Sequence, residues 1–279
     1  MSSTNLWKYV DQDVANDIAY FWKRVIEGFD YRAGISESFN GDDPAIQWNT
    51  EYFGPNVTMD DRLRYIATNI STNKEMSEEN RVLNFLITHF YGGRDCHRVL
   101  NAELDPRKAY TDFERVLIDP EYLSQIKSNL DRAKALGYSI WSKTELHTSL
   151  MGASNKFAKE VHGHETHSVN MISWLADWLV DGTVDRILKC LTLKECVEVL
   201  LSKEGIGPYY GYHGATDQST NPNLPFTHDE PFVLPGPGCQ LTLKMLFPNL
   251  TNKECSPGNQ VVWVRENQEK LFGKINFNK

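Results

Sequence analysis

The chain has 279 residues, of which 41% are hydrophobic, and a formal net charge of -8 at pH 7. This length and apolar content suffice for a substantial core, arranged as one large domain or as two closely packed lobes. The negative charge argues against a protein that coats nucleic acid nonspecifically, because such binding is driven by the neutralisation of phosphates. It does not exclude an enzyme that holds DNA through a local patch, backbone amides and a base pocket.

Targeting signals and cysteine usage favour the cytoplasm. The N-terminal residues Met1–Asn5 lack the basic and then apolar pattern of a signal peptide, and no apolar run approaches the roughly 20 residues that span a bilayer. The five cysteines are odd in number and include no CxxC pair. Neither a disulfide framework nor a four-cysteine zinc site is therefore indicated, and we expect reduced cysteines.

Helical periodicity dominates the chain and predicts a mainly α fold. Strand-like runs are few and short, and 258–264 is the clearest of them. Two regions rich in glycine, proline and polar residues, 29–55 and 221–238, are expected to be loops. Helices are predicted over 11–27, 60–66, 77–91, 110–118, 121–136, 168–178, 181–190 and 193–203.

The segment from Leu200 to Asp217 predicts a helix, a glycine turn and a second helix. Gly205 suits a positive φ, and Gly207-Pro208 suits the cap and first position of the second helix. The backbone N–H groups of Gly205, Ile206 and Gly207 would then face a phosphate, to which Lys203 adds positive charge. An ordinary turn between two helices is the alternative.

The sequence also bears on a metal site, a nucleotide-binding loop and a hydrolase motif. The run His162–His167 contains three imidazoles and a carboxylate, but it lacks the HExxH spacing and contains Gly163, so we predict no metal site. The sequence contains no GxxxxGK[ST] loop, which argues against an ATP-dependent kinase of that class, and no GxSxG elbow of a serine hydrolase.

Three carboxylates near the turn are candidates for a general base or for stabilising positive charge: Asp217, Asp229 and Glu230. His213 lies four residues before Asp217 on the same helix face and is expected to hydrogen-bond to it. Tyr209 can stack on a base or contact phosphate. Without a functional role, Asp217 would be a polar residue at a helix end, and Asp229 and Glu230 would be solvated loop charges. Tyr209 would then serve ordinary packing between helices.

Three segments together resemble the helical domain found with phage 5-hydroxymethyldeoxyuridine DNA kinases, a group related to the α-glutamyl/putrescinyl thymine pyrophosphorylases. The segments are Gly205–Pro208, 212–217 and Phe232–Gly238, and two upstream segments, 53–62 and 79–85, fit less tightly. The resemblance spans about residues 45–250. These families are linked to hypermodified pyrimidines in viral DNA, so the resemblance implies a bacterial or virus-infected host cell.

The resemblance also implies the fold of helix-hairpin-helix DNA glycosylases, with two helical lobes and a cleft. We predict a single compact unit over 1–279, with an N-terminal lobe over about 1–160, a helix-hairpin-helix lobe over about 161–250 and a C-terminal extension over 251–279. The implied partner is DNA that contains modified pyrimidines, with no membrane. The predicted contacts with DNA are made by Lys203, Gly205, Ile206, Gly207, Tyr209, Arg62, Arg81 and Asn84.

One departure from the glycosylases bears on the reaction. Glycosylases of this fold have a catalytic aspartate about twenty residues beyond the hairpin, just ahead of the next helix, whereas near that point this chain has Leu-Pro-Gly-Pro-Gly at 234–238. Cleavage of an N-glycosidic bond develops positive charge that a carboxylate normally stabilises. Its absence favours chemistry at the 5-substituent of a flipped base, with Gly236 and Gly238 binding an anionic group.

We therefore expect a DNA-modifying transferase that acts at the 5-methylene position of a flipped 5-hydroxymethylpyrimidine. Asp217 is the first candidate for the general base, helped by His213, and Asp229 and Glu230 come second. No cofactor is indicated by the residues themselves, and the resemblance implies a donor such as a nucleotide sugar or an amino acid. The alternatives are a glycosylase that excises a hydroxymethylated or glucosylated pyrimidine, and a noncatalytic DNA-binding module.

Overall fold

The computed structural model describes residues 5–32, 66–91, 110–138, 148–163, 169–227 and 230–273. Within these ranges the chain is helical and contains no strand, which confirms the predicted mainly α fold. No helix of the described part has the length and apolar character needed to cross a membrane.

The chain divides into two compact units, one formed by 1–60 with 231–279 and the other by 61–230. The lobe boundary that we predict near residue 160 falls inside the second unit, and the boundary near 250 falls inside the first. The first unit contains helices α1 (Gln12–Arg32), α10 (Pro237–Leu246), α11 (Pro257–Glu266) and α12 (Gln268–Phe272).

The second unit contains eight helices within the described residues, and a short π-helix over Ile66–Ser71 precedes them. Their bounds agree with the predicted helices to within a few residues where a helix was predicted. They are α2 (Glu78–Tyr91), α3 (Phe113–Ile118), α4 (Pro120–Ala135), α5 (Thr148–His162), α6 (Asn170–Val180), α7 (Thr183–Leu188), α8 (Leu193–Leu201) and α9 (Pro208–Gln218).

The first unit has a core of large apolar side chains. Leu246 and Phe247 at the end of α10 are buried together with Trp263 of α11 and Leu271 of α12. Trp7 meets Trp263 edge to face, with ring centroids 5.0 Å apart. Burial of these rings and leucines supplies the main favourable term in the stability of this unit.

The predicted strand over 258–264 is wrong, because this segment forms most of helix α11. Ser256 is the N-cap and accepts a hydrogen bond from the Asn259 amide, and Pro257 takes the first helical position. The valines that suggested a strand therefore lie in a helix whose start is fixed by capping and by the φ of proline. Tertiary packing of Trp263 overrides the β propensity of the valines.

Helix α2 lies at the centre of the second unit and packs against α6, α7 and α9. Every residue from Asn80 to Tyr91 is buried, so this helix has no solvent face over that length. Ser77 begins it as predicted, since its hydroxyl accepts a hydrogen bond from the Asn80 amide at 3.2 Å. A helix buried on all sides contributes polar residues as well as apolar ones to the interior.

Candidate active site

Helices α8 and α9 are joined by the predicted glycine turn. The Thr192 hydroxyl accepts a hydrogen bond from the Glu195 amide and caps α8. Gly205 has a φ of +85°, which lies in the left-handed region that glycine adopts at low cost. Gly207 is then the N-cap of α9, and Pro208 occupies its first position. The local geometry of the turn is therefore as the sequence predicts.

Two of the residues assigned to phosphate at this turn already have partners within the protein. The Ile206 amide donates to the Lys203 carbonyl at 3.1 Å, and the Ile206 side chain is buried. The ammonium of Lys203 forms an ion pair with Asp181 and lies over the ring of Trp178. Ile206 thus closes the turn, and the Lys203 side chain points to Asp181.

Two glycines let α9 approach its neighbours closely. A Cβ on Gly211 would lie 2.9 Å from the Leu201 side chain, and a Cβ on Gly214 would lie 3.2 Å from Leu86 and 3.4 Å from Leu200. These contacts fit α9 against α8 and against α2. They bring the polar face of α9 against His89 of α2.

Asp217 and His89 form a buried pair of side chains that spans these two helices. Oδ2 of Asp217 lies 3.1 Å from Nδ1 of His89, and the two side chains are 9% and 2% exposed. A buried carboxylate this close to an imidazole restricts the orientation of the ring. His89 did not emerge from the sequence, because it lies 128 residues from Asp217 in a helix with an apolar pattern.

The His89 ring is part of an aromatic stack that reaches the surface. His213 stacks on it with the ring centroids 5.9 Å apart and the planes 18° apart. Tyr209 lies 4.5 Å from the His213 ring, centroid to centroid, and Tyr210 meets His89 edge to face at 6.0 Å. His213 and Tyr209 are exposed, whereas His89 and Tyr210 are buried. The stack therefore presents one imidazole and one phenol to solvent above the buried pair of Asp217 and His89.

Arg81 and Asn84, which we predicted to contact DNA, have internal partners. The guanidinium of Arg81 is buried and donates to the carbonyls of Ile70 and Asn73 and to the side chain of Asn223. The amide of Asn84 exchanges two hydrogen bonds with the backbone of Thr111, at 2.8 and 2.9 Å. Both side chains hold α2 to neighbouring loops, and neither lies at a surface.

Glu230, a second-rank candidate for the base, caps a helix. Its Oε2 accepts a hydrogen bond from the Leu193 amide at 2.9 Å, at the first position of α8. The carboxylate complements the positive end of the helix dipole, so its contact stabilises α8. The candidates Asp229 and Arg62 lie outside the described residues.

Gly236 and Gly238, assigned to an anion, start helix α10 in the first unit. Gly236 is the N-cap, and its carbonyl accepts a hydrogen bond from the Gln240 amide at 2.9 Å. Gly238 is exposed and has open space where a Cβ would stand. The start of α10 is thus accessible, as an anion site requires, although accessibility alone does not make one.

Within the described ranges, no group of three or more His, Cys, Asp or Glu side chains is placed to hold a metal ion. His162 is the last residue of α5, and Gly163 follows it with a φ of +69°. The remainder of the histidine-rich run, 164–167, lies outside the described residues. The candidate active site therefore consists of the stack and its buried pair.

Comparison with known families identifies the chain. The family described as 5-hmdU DNA kinase, helical domain, matches residues 50–279. The chain belongs to this family. Membership in the 5-hmdU DNA kinase helical-domain family connects the chain with DNA and with the modification of 5-hydroxymethyluracil in it. Among curated proteins and among solved structures, no significant match was found.

The match includes all of α2 and α9, and therefore the whole of the stack and its buried pair. In this family setting, an exposed imidazole beside a phenol has two chemical uses. The imidazole can accept a proton from a hydroxyl group, and the phenol ring can stack on a base. The buried pair of Asp217 and His89 can hold the imidazole in place.

Proposed function

We propose that this protein transfers a group to the 5-hydroxymethyl substituent of a pyrimidine that has been flipped out of DNA. The observation that carries the proposal is the exposed His213 ring, stacked on a histidine that a buried carboxylate orients. A base inside a duplex presents its 5-substituent in the major groove, and a flipped base brings that group within reach of a side chain.

In this proposal His213 takes the proton from the 5-hydroxymethyl group. The hydroxyl oxygen forms a bond to the electrophilic atom of an activated donor, and the bond from that atom to its leaving group breaks. Imidazole suits this role because its ordinary pKa lies close to neutral pH. Tyr209 supplies a ring for the flipped base, since it is exposed and lies 4.5 Å from His213, centroid to centroid.

Asp217 takes a different role from the one expected from the sequence. Because the carboxylate is buried against His89, it acts on the substrate through that ring and does not touch the 5-hydroxymethyl group. The same burial disfavours Asp217 as the carboxylate of the glycosylase alternative, since a carboxylate that stabilises the sugar cation must face the sugar. Asp217 and His89 are therefore positioning residues in the proposed reaction.

The DNA backbone is proposed to lie at the turn between α8 and α9. The start of α9 carries the positive end of the helix dipole, and the amides of Gly205 and Gly207 flank it. His213 is five residues beyond Pro208, so a nucleotide whose phosphate sits at the turn has its base within a short distance of the stack.

The test uses duplex DNA with one 5-hydroxymethyluracil and a matched duplex with thymine at the same position. Each is incubated with the protein and with a nucleoside triphosphate, a nucleotide sugar or an amino acid, and the released nucleosides are weighed by mass spectrometry. A mass increase on 5-hydroxymethyluracil alone supports transfer. Abasic sites would instead establish excision, and binding without any product would establish a noncatalytic module.

A further inference from the structure

The backbone of Lys203 forms part of the turn between α8 and α9, whereas its side chain points away from the turn. Its carbonyl accepts the Ile206 amide that closes the turn. Its side chain passes over the Trp178 ring, with Nζ 5.1 Å from the ring centroid, and ends in an ion pair with Asp181. The positive charge beside the proposed phosphate position is therefore held by a carboxylate.

Asp181 is a fixed and charged partner. Its Oδ1 accepts a hydrogen bond from the Thr183 amide at 2.9 Å, which holds the carboxylate at the start of α7. Partial burial acts to raise the pKa of Asp181, but hydrogen bonds from Lys203 and Thr183 outweigh it and lower that pKa below its usual value. The carboxylate is thus ionised at neutral pH and repels any phosphate that approaches Lys203.

The turn does not depend on this ion pair for its shape. On the other side of Lys203, Glu204 receives two hydrogen bonds from Lys156 of α5, at 2.8 and 2.9 Å. The backbone hydrogen bond from Ile206 to Lys203 involves no side chain. Lys203 can therefore exchange Asp181 for another anion while the turn keeps its backbone geometry.

We infer that Asp181 and a DNA phosphate compete for Lys203, so that Asp181 weakens the binding of DNA by the free protein. The inference rests on the proposed function, which places DNA at this turn. A lysine suits such an exchange because its ammonium is a point charge on a flexible stem. Ion pairs that are partly exposed, as this one is at 16% and 32%, are weak enough for a phosphate to displace the carboxylate.

The experiment measures the affinity for a 5-hydroxymethyluracil duplex by fluorescence anisotropy in Asp181→Asn and in Asp185→Asn. Asp185 is an exposed residue of α7. Its substitution by asparagine is the control because it removes the same single negative charge as Asp181→Asn. Asp181→Asn is expected to bind about two- to fivefold more tightly than the control, as expected from the strength of a partly exposed ion pair. The gain is expected to vanish when Lys203→Ala is also present, because the two substitutions act through one contact.

A third variant, Asp181→Ser, removes the charge with a different side chain that also offers an acceptor to the Thr183 amide, so a gain in affinity shared by Asp181→Asn and Asp181→Ser is due to the lost charge. Equal affinity of Asp181→Asn and Asp185→Asn would overturn the competition. So would a gain that persists in the Lys203→Ala background. Failure of the wild-type protein to bind DNA overturns the proposed function and the competition together, whereas binding that ignores Asp181 overturns the competition alone.

Discussion

Helices α9 and α10 start in the same way and then diverge. Each has a glycine N-cap followed by proline, with φ and ψ of -87° and 176° at Gly207 and of -68° and 172° at Gly236. The ninth residue after each proline is buried, but it is Asp217 in α9 and Leu246 in α10. The fifth residue is His213 in one helix and Thr242 in the other.

The difference follows from what each helix packs against. Helix α10 buries leucines among the aromatic rings of the first unit, as amphipathic helices commonly do. Helix α9 has glycines at its helix contacts and buries a carboxylate against His89. Identical start signals therefore fix where a helix begins, and the neighbouring elements decide whether it buries a carboxylate or a leucine.

The largest loss of stability is expected when α9 receives a leucine at position 217, which corresponds to the buried Leu246 of α10. Asp217→Leu should destabilise the protein by about 3 kcal/mol, because it leaves the buried His89 without its carboxylate. Urea denaturation measures this loss. In the double variant Asp217→Leu with His89→Leu most of the loss should be recovered. If the single variant is as stable as the wild type, Asp217 only fills space, as Leu246 does.

The next largest effect is on the rate of modification and concerns the fifth residue after each proline, His213 in α9 and Thr242 in α10. His213→Gln should lower the rate of modification of 5-hydroxymethyluracil DNA by about 100-fold, since amide groups do not accept protons at neutral pH. Thr242→Ala, at the same position of α10, should leave the rate unchanged. Product formation is followed by mass spectrometry under conditions in which the wild type turns over. Full activity of His213→Gln would remove this ring from the mechanism.

A smaller effect on stability is expected when a glycine of each helix is replaced by alanine, and its sign should differ between the two helices. Gly214→Ala places a Cβ 3.2 Å from Leu86 and should reduce stability by about 1 kcal/mol, since the contact with α2 must open. Gly238→Ala meets open space near the start of α10 and should raise stability by about 0.5 kcal/mol. Thermal unfolding of the two variants gives the comparison. Equal changes in stability would show that the close approach of α9 to α2 does not require a glycine at position 214.

The smallest effect tests whether the two helix starts bind anions alike. Gly207→Ser and Gly236→Ser each add a side-chain cap where the backbone is already extended, and each should gain a few tenths of a kcal/mol in stability. Only Gly207→Ser should weaken DNA binding, because its side chain occupies the approach of the phosphate. Parallel anisotropy titrations check this. A matching loss in Gly236→Ser would assign DNA to both helix starts.

Helix starts were predicted well because their signals are local. Ser77 and Thr192 cap α2 and α8, and the positive φ of Gly205 appears where the sequence predicts it. Each of these signals needs only four or five consecutive residues. The strand predicted over 258–264 is wrong because the start signal at Ser256 and Pro257 and the packing of Trp263 together outweigh the β propensity of the valines.

The residues of the candidate site could be named from the sequence only in part. Asp217, His213 and Tyr209 were found through their proximity to the turn, whereas His89 and the internal partners of Arg81 and Asn84 were not. One signal for His89 was present, since Thr88 and His89 interrupt the apolar run of α2. A polar residue in a helix without a solvent face needs an internal partner, and the sequence does not name that partner.

The sequence by itself determined the helical character, the start of α9 and the family, because capping, periodicity and motif spacing lie within short stretches of chain. Only the tertiary structure decided that Asp217 is buried with His89, that Lys203 is held by Asp181 and that Glu230 caps α8. Each of these pairs joins residues that are 22 to 128 positions apart. Their meeting depends on helix packing, which glycines such as Gly214 permit but which no local pattern specifies.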